Sequence, residues 1–208
     1  DAGVVGFDIA GAEAGFPPTR HLDSFEYLRR ENSHFTIHAG EAFGLPSIWE
    51  ALQWCGADRL GHGVRIIDDV TVREDGTAEL GRLAAYVRDK RVPLEMCPSS
   101  NVQTGAVRDI SVHPIRFYFD YGCRVTVNTD NRLITDTTVS KELWLCHKNL
   151  GFTLAQIKQV IVGGFKSAFM PFHLKQEILR RITRELDAIV EPPPEQLDAA
   201  PPTKSAEN

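Results

Sequence analysis

The chain has 208 residues, of which 42% are hydrophobic and 25% charged, a composition that excludes a disordered or fibrous protein and suffices for a sizeable core. Its 23 Lys and Arg against 28 Asp and Glu leave a formal net charge of −5, and no Lys/Arg-rich block breaks that balance, so the electrostatic footprint of a nucleic-acid binder is missing. The longest apolar runs, residues 4–7 and 159–165, fall far short of the roughly 20 residues needed to cross a bilayer, and nothing at the N-terminus resembles a signal peptide. We therefore expect a cytoplasmic protein acting on a small molecule, without nucleic acid or membrane as partners.

The chain opens without Met, and Asp1-Ala2-Gly3 leads directly into Val4-Val5-Gly6-Phe7-Asp8-Ile9-Ala10-Gly11, an apolar run expected of a strand buried on both faces. Similar runs recur at Phe35-Thr36-Ile37-His38-Ala39-Gly40, Arg59-Leu60-Gly61-His62-Gly63, Val92-Pro93-Leu94-Glu95-Met96-Cys97-Pro98 and Arg124-Val125-Thr126-Val127-Asn128-Thr129-Asp130. Each precedes a stretch with apolar residues at helical spacing: 24–30, 47–55, 78–90, 114–121 and 141–149, with Ser24 and Ser47 expected as N-caps. Strand starts roughly 30 residues apart predict βαβ architecture on a parallel sheet. Cys55, Cys97, Cys123 and Cys146 show no C-x-x-C spacing and are expected to be reduced thiols in or near the core.

Two parallel folds compete. A doubly wound sheet would carry a Gly-rich phosphate loop after its first strand, and Gly3, Gly6 and Gly11 do not match G-x-G-x-x-G in such a turn. A TIM (β/α)8 barrel instead gathers polar residues at the C-terminal ends of several strands. The chain places them there at Gly11 and Glu13, His38 and Glu41, His62, Ser99 to Asn101, and Asp130 and Asn131, which favours the barrel. A whole barrel takes roughly 250 residues, so we expect an incomplete one, the last five βα units of eight, with three strands ahead of Asp1. Residues 1–190 are read as the C-terminal part of a single barrel and residues 191–208 as a Pro-rich disordered tail.

His38 and Glu41 stand at the mouth of one strand, His62 ends the next between two glycines that should leave its ring unshielded, and Asp130 ends the last. Neutral imidazole is a good zinc ligand, and a neighbouring carboxylate can shuttle protons without binding the metal. Because consecutive barrel strands deliver their ends to one mouth, these four residues should converge, a set suited to metal-assisted hydrolysis. Serine chemistry fits less well, since Ser99 and Ser100 lie outside any G-x-S-x-G elbow, and Cys97 reads as structural.

In this order, Phe7-Asp8-Ile9-Ala10-Gly11-x-Glu13, His38-Ala39-Gly40-Glu41, Gly61-His62-Gly63, Cys97-Pro98-Ser99-Ser100-Asn101 and Asn128-Thr129-Asp130 resemble the successive motifs of the adenosine deaminase family, within the metal-dependent amidohydrolases. Lys166-Ser167-Ala168-Phe169 in the closing helix adds a softer match. The resemblance covers about residues 1–190 and implies a mononuclear zinc enzyme of purine salvage. Such an enzyme hydrolyses adenosine or deoxyadenosine to inosine or deoxyinosine and ammonia. Carried over, His38 and Asp130 match metal ligands, Glu41 the acid that protonates purine N1, and His62 the residue that holds and deprotonates the attacking water. Gly11 matches a backbone contact to the purine, and Asp8 is either an orienter of the ligands or a structural acid.

The sequence departs from the family pattern in places. Asn131 stands where a second Asp often reaches purine N7, which leaves adenine or another 6-aminopurine derivative as an alternative substrate. Ala12 replaces a frequent Asp, while Glu13 is kept without an assigned role. No His-x-His occurs in the 208 residues, so the two further His ligands of the family pattern are expected from a preceding segment, and a catalytically inactive truncated chain is a third reading. His21, His34, His113, His147 and His173 lie away from strand ends and are expected in solvated or capping roles. Oligomeric state is not legible.

Overall fold

The computed structural model describes residues 3–75 and 77–189; the tail expected over 191–208 lies outside them. In chain order the strands are β1 (Phe7–Ile9), β2 (Phe35–Ala39), β3 (Arg59–His62), β4 (Val70–Val72), β5 (Ala78–Leu80), β6 (Leu94–Met96) and β7 (Val125–Val127). The helices are α1 (Leu22–Arg30), α2 (Leu45–Trp49), α3 (Arg82–Asp89), α4 (Pro98–Gln103), α5 (Ile115–Asp120), α6 (Arg132–Thr135), α7 (Val139–Leu150), α8 (Leu154–Ser167) and α9 (Phe172–Asp187).

Five strands form one parallel sheet in the order β1-β2-β3-β6-β7, so all five C-terminal ends lie along one rim. Intervening helices cover the sheet, as parallel strands require. In β2, Phe35 and Ile37 are buried, and the Phe35 ring packs 5.2 Å from Phe25 of α1. Leu60, Leu94 and Met96 continue this core through β3 and β6. All four cysteines are buried free thiols. Among the described residues no helix is long and apolar enough to cross a membrane.

Several local expectations are corrected. The first strand is not buried on both faces: Val4 is 81% and Phe7 47% exposed. The reason is its place, because β1 is an outer strand that pairs only with β2 among the described residues. Residues 78–90 are not one helix, since β5 pairs antiparallel with β4 before α3 begins at Arg82. Asp69 decides that start by accepting the Leu83 and Ala84 N–H groups at 2.8 Å, doing from a distance the work of an N-cap. Ser24 and Ser47 lie inside their helices; α1 is entered through a 3-10 turn at Pro18–His21, and α2 has a proline in its first turn, where φ is preset. Beyond α2 the chain widens into a π-helical turn over Glu50–Cys55 that closes at Gly56.

Candidate active site

The rim brings His38, His62 and Asp130 together from β2, β3 and the loop after β7, with Glu41 just beyond β2. Strand register makes room for the first imidazole. His38 lies opposite Gly61, and a Cβ there would stand 2.8 Å from His38 Nδ1. His62 and Asp130 adopt left-handed backbone, with φ of 66° and 50°, a conformation that costs about 1–3 kcal/mol per residue and is concentrated at functional sites.

Asp8 on β1 holds His38 Nδ1 at 3.1 Å, and this hydrogen bond, working against burial, raises the imidazole pKa. The His38 ring meets the His62 ring edge-on with centroids 5.0 Å apart. Against expectation, the glycines flanking His62 do not leave it unshielded, since it is only 2% exposed. Gly61 accommodates the His38 ring, and a Cβ on Gly63 would stand 2.7 Å from Leu94, so these glycines permit close packing. Burial lowers the His62 pKa and keeps the ring neutral. At Asp130 burial opposes the charge, yet the Ser100 hydroxyl at 2.5 Å, the Asn131 N–H at 2.7 Å and the two histidines hold the pKa below its ordinary value.

Glu13 has a structural task that its sequence context did not disclose. Its carboxylate accepts N–H groups from Gly40 at 2.5 Å, Glu41 at 3.0 Å and Ala42 at 2.7 Å, and also the Ser47 hydroxyl. The turn carrying Glu41 is thereby clamped. The Glu41 side chain accepts from Asn101 Nδ2 at 3.1 Å and the Thr104 hydroxyl at 3.0 Å through one oxygen, while its other oxygen lies 3.3 Å from His62 Nε2.

Gly11 and His38 line one cavity of about 450 Å³ together with Phe16 and Arg20. A Cβ on Gly11 would meet nothing within 4 Å, so its backbone is open to that space. Asn131 caps α6, its Oδ1 accepting the Ile134 N–H at 3.2 Å. A larger cavity of about 1020 Å³ lies away from this rim, between the start of β7 and α8–α9, and holds none of these residues.

The histidines outside the four-residue set divide. His21 and His173 are exposed, His34 lies 3.4 Å from Asp58, and His147, in the last turn of α7, lies 2.7 Å from the Phe152 carbonyl just beyond the helix. His113 is the correction: it receives the Ile115 N–H at the start of α5, but it is 3% exposed, and its other nitrogen lies 3.2 Å from Asn101 Oδ1. No strand-end position marks it in the sequence; only the packing of its loop against α4 brings it in.

Glu41, His62 and Asp130 offer donor atoms that all lie within 4.8 Å of one another. With Nδ1 of His38 engaged by Asp8, its Nε2 is the nitrogen available to a cation. Imidazoles and oriented carboxylates form a donor set that fits zinc.

The adenosine deaminase family model matches residues 1–185. Adenosine deaminase 1 of Streptomyces coelicolor is 67% identical over 172 residues, covering 83% of this chain and 43% of that protein. Among solved structures, an adenine deaminase from Arthrobacter aurescens superposes with a TM-score of 0.78 at 25% identity, over 89% of this chain and 53% of the other. A zinc-bound amidohydrolase from Burkhoderia ambifaria gives 0.75 at 22% identity, over 86% and 48%. These neighbours assign the parallel sheet to part of a TIM barrel. The chain spans about half the length of the curated relatives it matches.

Proposed function

Because the chain belongs to the adenosine deaminase family, we propose that it supplies the C-terminal part of a zinc-dependent hydrolase that converts adenosine or deoxyadenosine and water to inosine or deoxyinosine and ammonia. The supporting observation is the meeting of four groups from the ends of three strands: Glu41, His62 and Asp130 within 4.8 Å, and His38 against His62. In this reading His38 and Asp130 hold the metal, and two further histidines come from a His-x-His strand that these 208 residues do not contain. When bound, zinc supplies the Lewis acidity that makes water a nucleophile near neutral pH.

The chain's own residues then do the rest. Glu41 gives a proton to purine N1, so that attack at C6 does not build uncompensated charge on the ring, and an interaction that strengthens in the transition state accelerates the step. His62 holds the attacking oxygen. The Gly11 backbone and the Asn131 amide nitrogen contact the purine, and Asp8 orients His38. We place this purine-salvage activity in the cytoplasm, a reducing compartment that suits four free thiols. Asn131 and the adenine deaminase neighbour favour a second reading, in which free adenine or another 6-aminopurine is the substrate.

The test is reconstitution. The full chain is combined with the N-terminal half of the Streptomyces coelicolor relative, and zinc content and ammonia release are measured on adenosine, deoxyadenosine, adenine and modified 6-amino nucleosides. Stoichiometric zinc and turnover of the nucleosides are expected only in the combination. Turnover confined to free adenine replaces the first reading with the second, and zinc-loaded, fast turnover by the chain alone overturns the partition of ligands.

A further inference from the structure

We infer that His113 is a positioning residue which, through the Asn101 amide, sets the ring nitrogen of His62 that carries the proton. The geometry stands by itself; its catalytic consequence rests on the deaminase reading.

Two backbone N–H groups give the chain of hydrogen bonds its direction. A backbone N–H can only donate, so Cys97 N–H, 3.2 Å from Asn101 Oδ1, identifies that atom as the carbonyl oxygen. Independently, the Ile115 N–H donates to His113 Nδ1 at 3.1 Å, which leaves the proton of the neutral ring on Nε2. Nε2–H then donates to the same Asn101 oxygen at 3.2 Å, so both anchors demand one amide orientation. Asn101 Nδ2 consequently faces the site, donating to His62 Nδ1 at 3.0 Å and to Glu41 at 3.1 Å. His62 Nδ1 is an acceptor, and its proton sits on Nε2, 3.3 Å from Glu41 Oε2. His113, Asn101 and His62 are 3%, 0% and 2% exposed, which shields these bonds from competing water.

His62 thus meets the attacking oxygen as a donor, not as the base that the family resemblance implies. The proton released by water needs another acceptor, the neighbouring Glu41 carboxylate, which then passes it to purine N1. The balance closes: one water is consumed and the C6–O bond forms with the first water proton on N1; the C6–N bond then breaks as the remaining hydroxyl proton passes to the amino group, which leaves as ammonia while C6=O forms.

The experiment is 15N–1H imidazole NMR on the histidine-labelled full chain without substrate, the His62 signals being identified by their loss in His62→Gln. The expected wild-type signature is a neutral His62 with Nε2 protonated and Nδ1 bare. Asn101→Asp presents an acceptor to Nδ1 and should move a proton there. His113→Leu, which leaves the Cys97 N–H as the one remaining anchor of the amide oxygen, should loosen the amide, mix the tautomers and lower kcat about tenfold with little change in KM in the reconstituted enzyme, whereas His113→Gln, which retains an N–H donor, should recover both. A wild-type proton on Nδ1 overturns the inference without any variant, as does a folded His113→Leu with unchanged His62 signals and kcat. The expected tautomer combined with no turnover of any 6-aminopurine upholds this inference and removes the deaminase reading.

Discussion

His38 and Gly61 face each other across the β2–β3 pair, and the imidazole occupies space that a side chain at position 61 would enter. A Cβ there would lie 2.8 Å from Nδ1 and 3.1 Å from the His38 Cα, and the backbone atom cannot swing aside. Gly61→Ala should therefore displace the ring and break its bond to Asp8. Zinc affinity of the reconstituted enzyme, measured against a competing chelator, is expected to fall about 10- to 100-fold. Undiminished affinity contradicts this account of the glycine.

Glu13 should matter to the fold before it matters to chemistry. It accepts from three successive backbone N–H groups and one hydroxyl, and hydrogen bonds to a charged group contribute about 1.5–3 kcal/mol each. The Glu13→Ala change, read from urea unfolding of the full chain, should lower stability by about 3 kcal/mol. A loss below about 0.5 kcal/mol, the range of ordinary surface substitutions, would show that the clamp is dispensable.

The Glu41→Gln variant separates proton transfer from architecture. Its amide oxygen can still accept from Asn101 and Thr104, but the group can neither take up nor release a proton. The reconstituted enzyme should lose about 10²–10⁴ in kcat while keeping its zinc. Retention of wild-type kcat would remove Glu41 from the mechanism.

His113 makes an acid-dependent contribution to stability. Burial pushes its pKa from 6.5 down to about 4. Above pH 6.5 both folded and unfolded rings are neutral, and the group contributes no pH dependence. As pH falls below 6.5 the unfolded chain takes up a proton that the folded chain refuses, so stability drops until about pH 4. That loss amounts to about 3 kcal/mol at 1.36 kcal/mol per pKa unit. Chemical denaturation across this range should show a shallower acid slope in His113→Gln, and an identical slope would mean that the ring is not held neutral.

The strand cores and the rim residues were legible because parallel strands are short apolar runs, and polar residues at their ends break the pattern. Helix starts were less so. Ser24 and Ser47 look like caps locally, yet α3 is started by Asp69 from across a hairpin, and Pro residues set the entry of α1 and α2. Asn101 could be noticed in the sequence as part of Cys97-Pro98-Ser99-Ser100-Asn101 at a strand end, but its task could not be read there, because that depends on a histidine twelve positions later in the chain.

By itself the sequence determined the alternation of strands and helices, the family motifs and the four polar groups destined for one rim, because each is encoded by local periodicity and by residue type at a strand end. Tertiary structure alone decided that Gly61 yields its volume to His38, and that Glu13 and His113 act on the site. Those relations are distances between segments far apart in the chain, and periodicity within one segment carries no record of what will be packed against it.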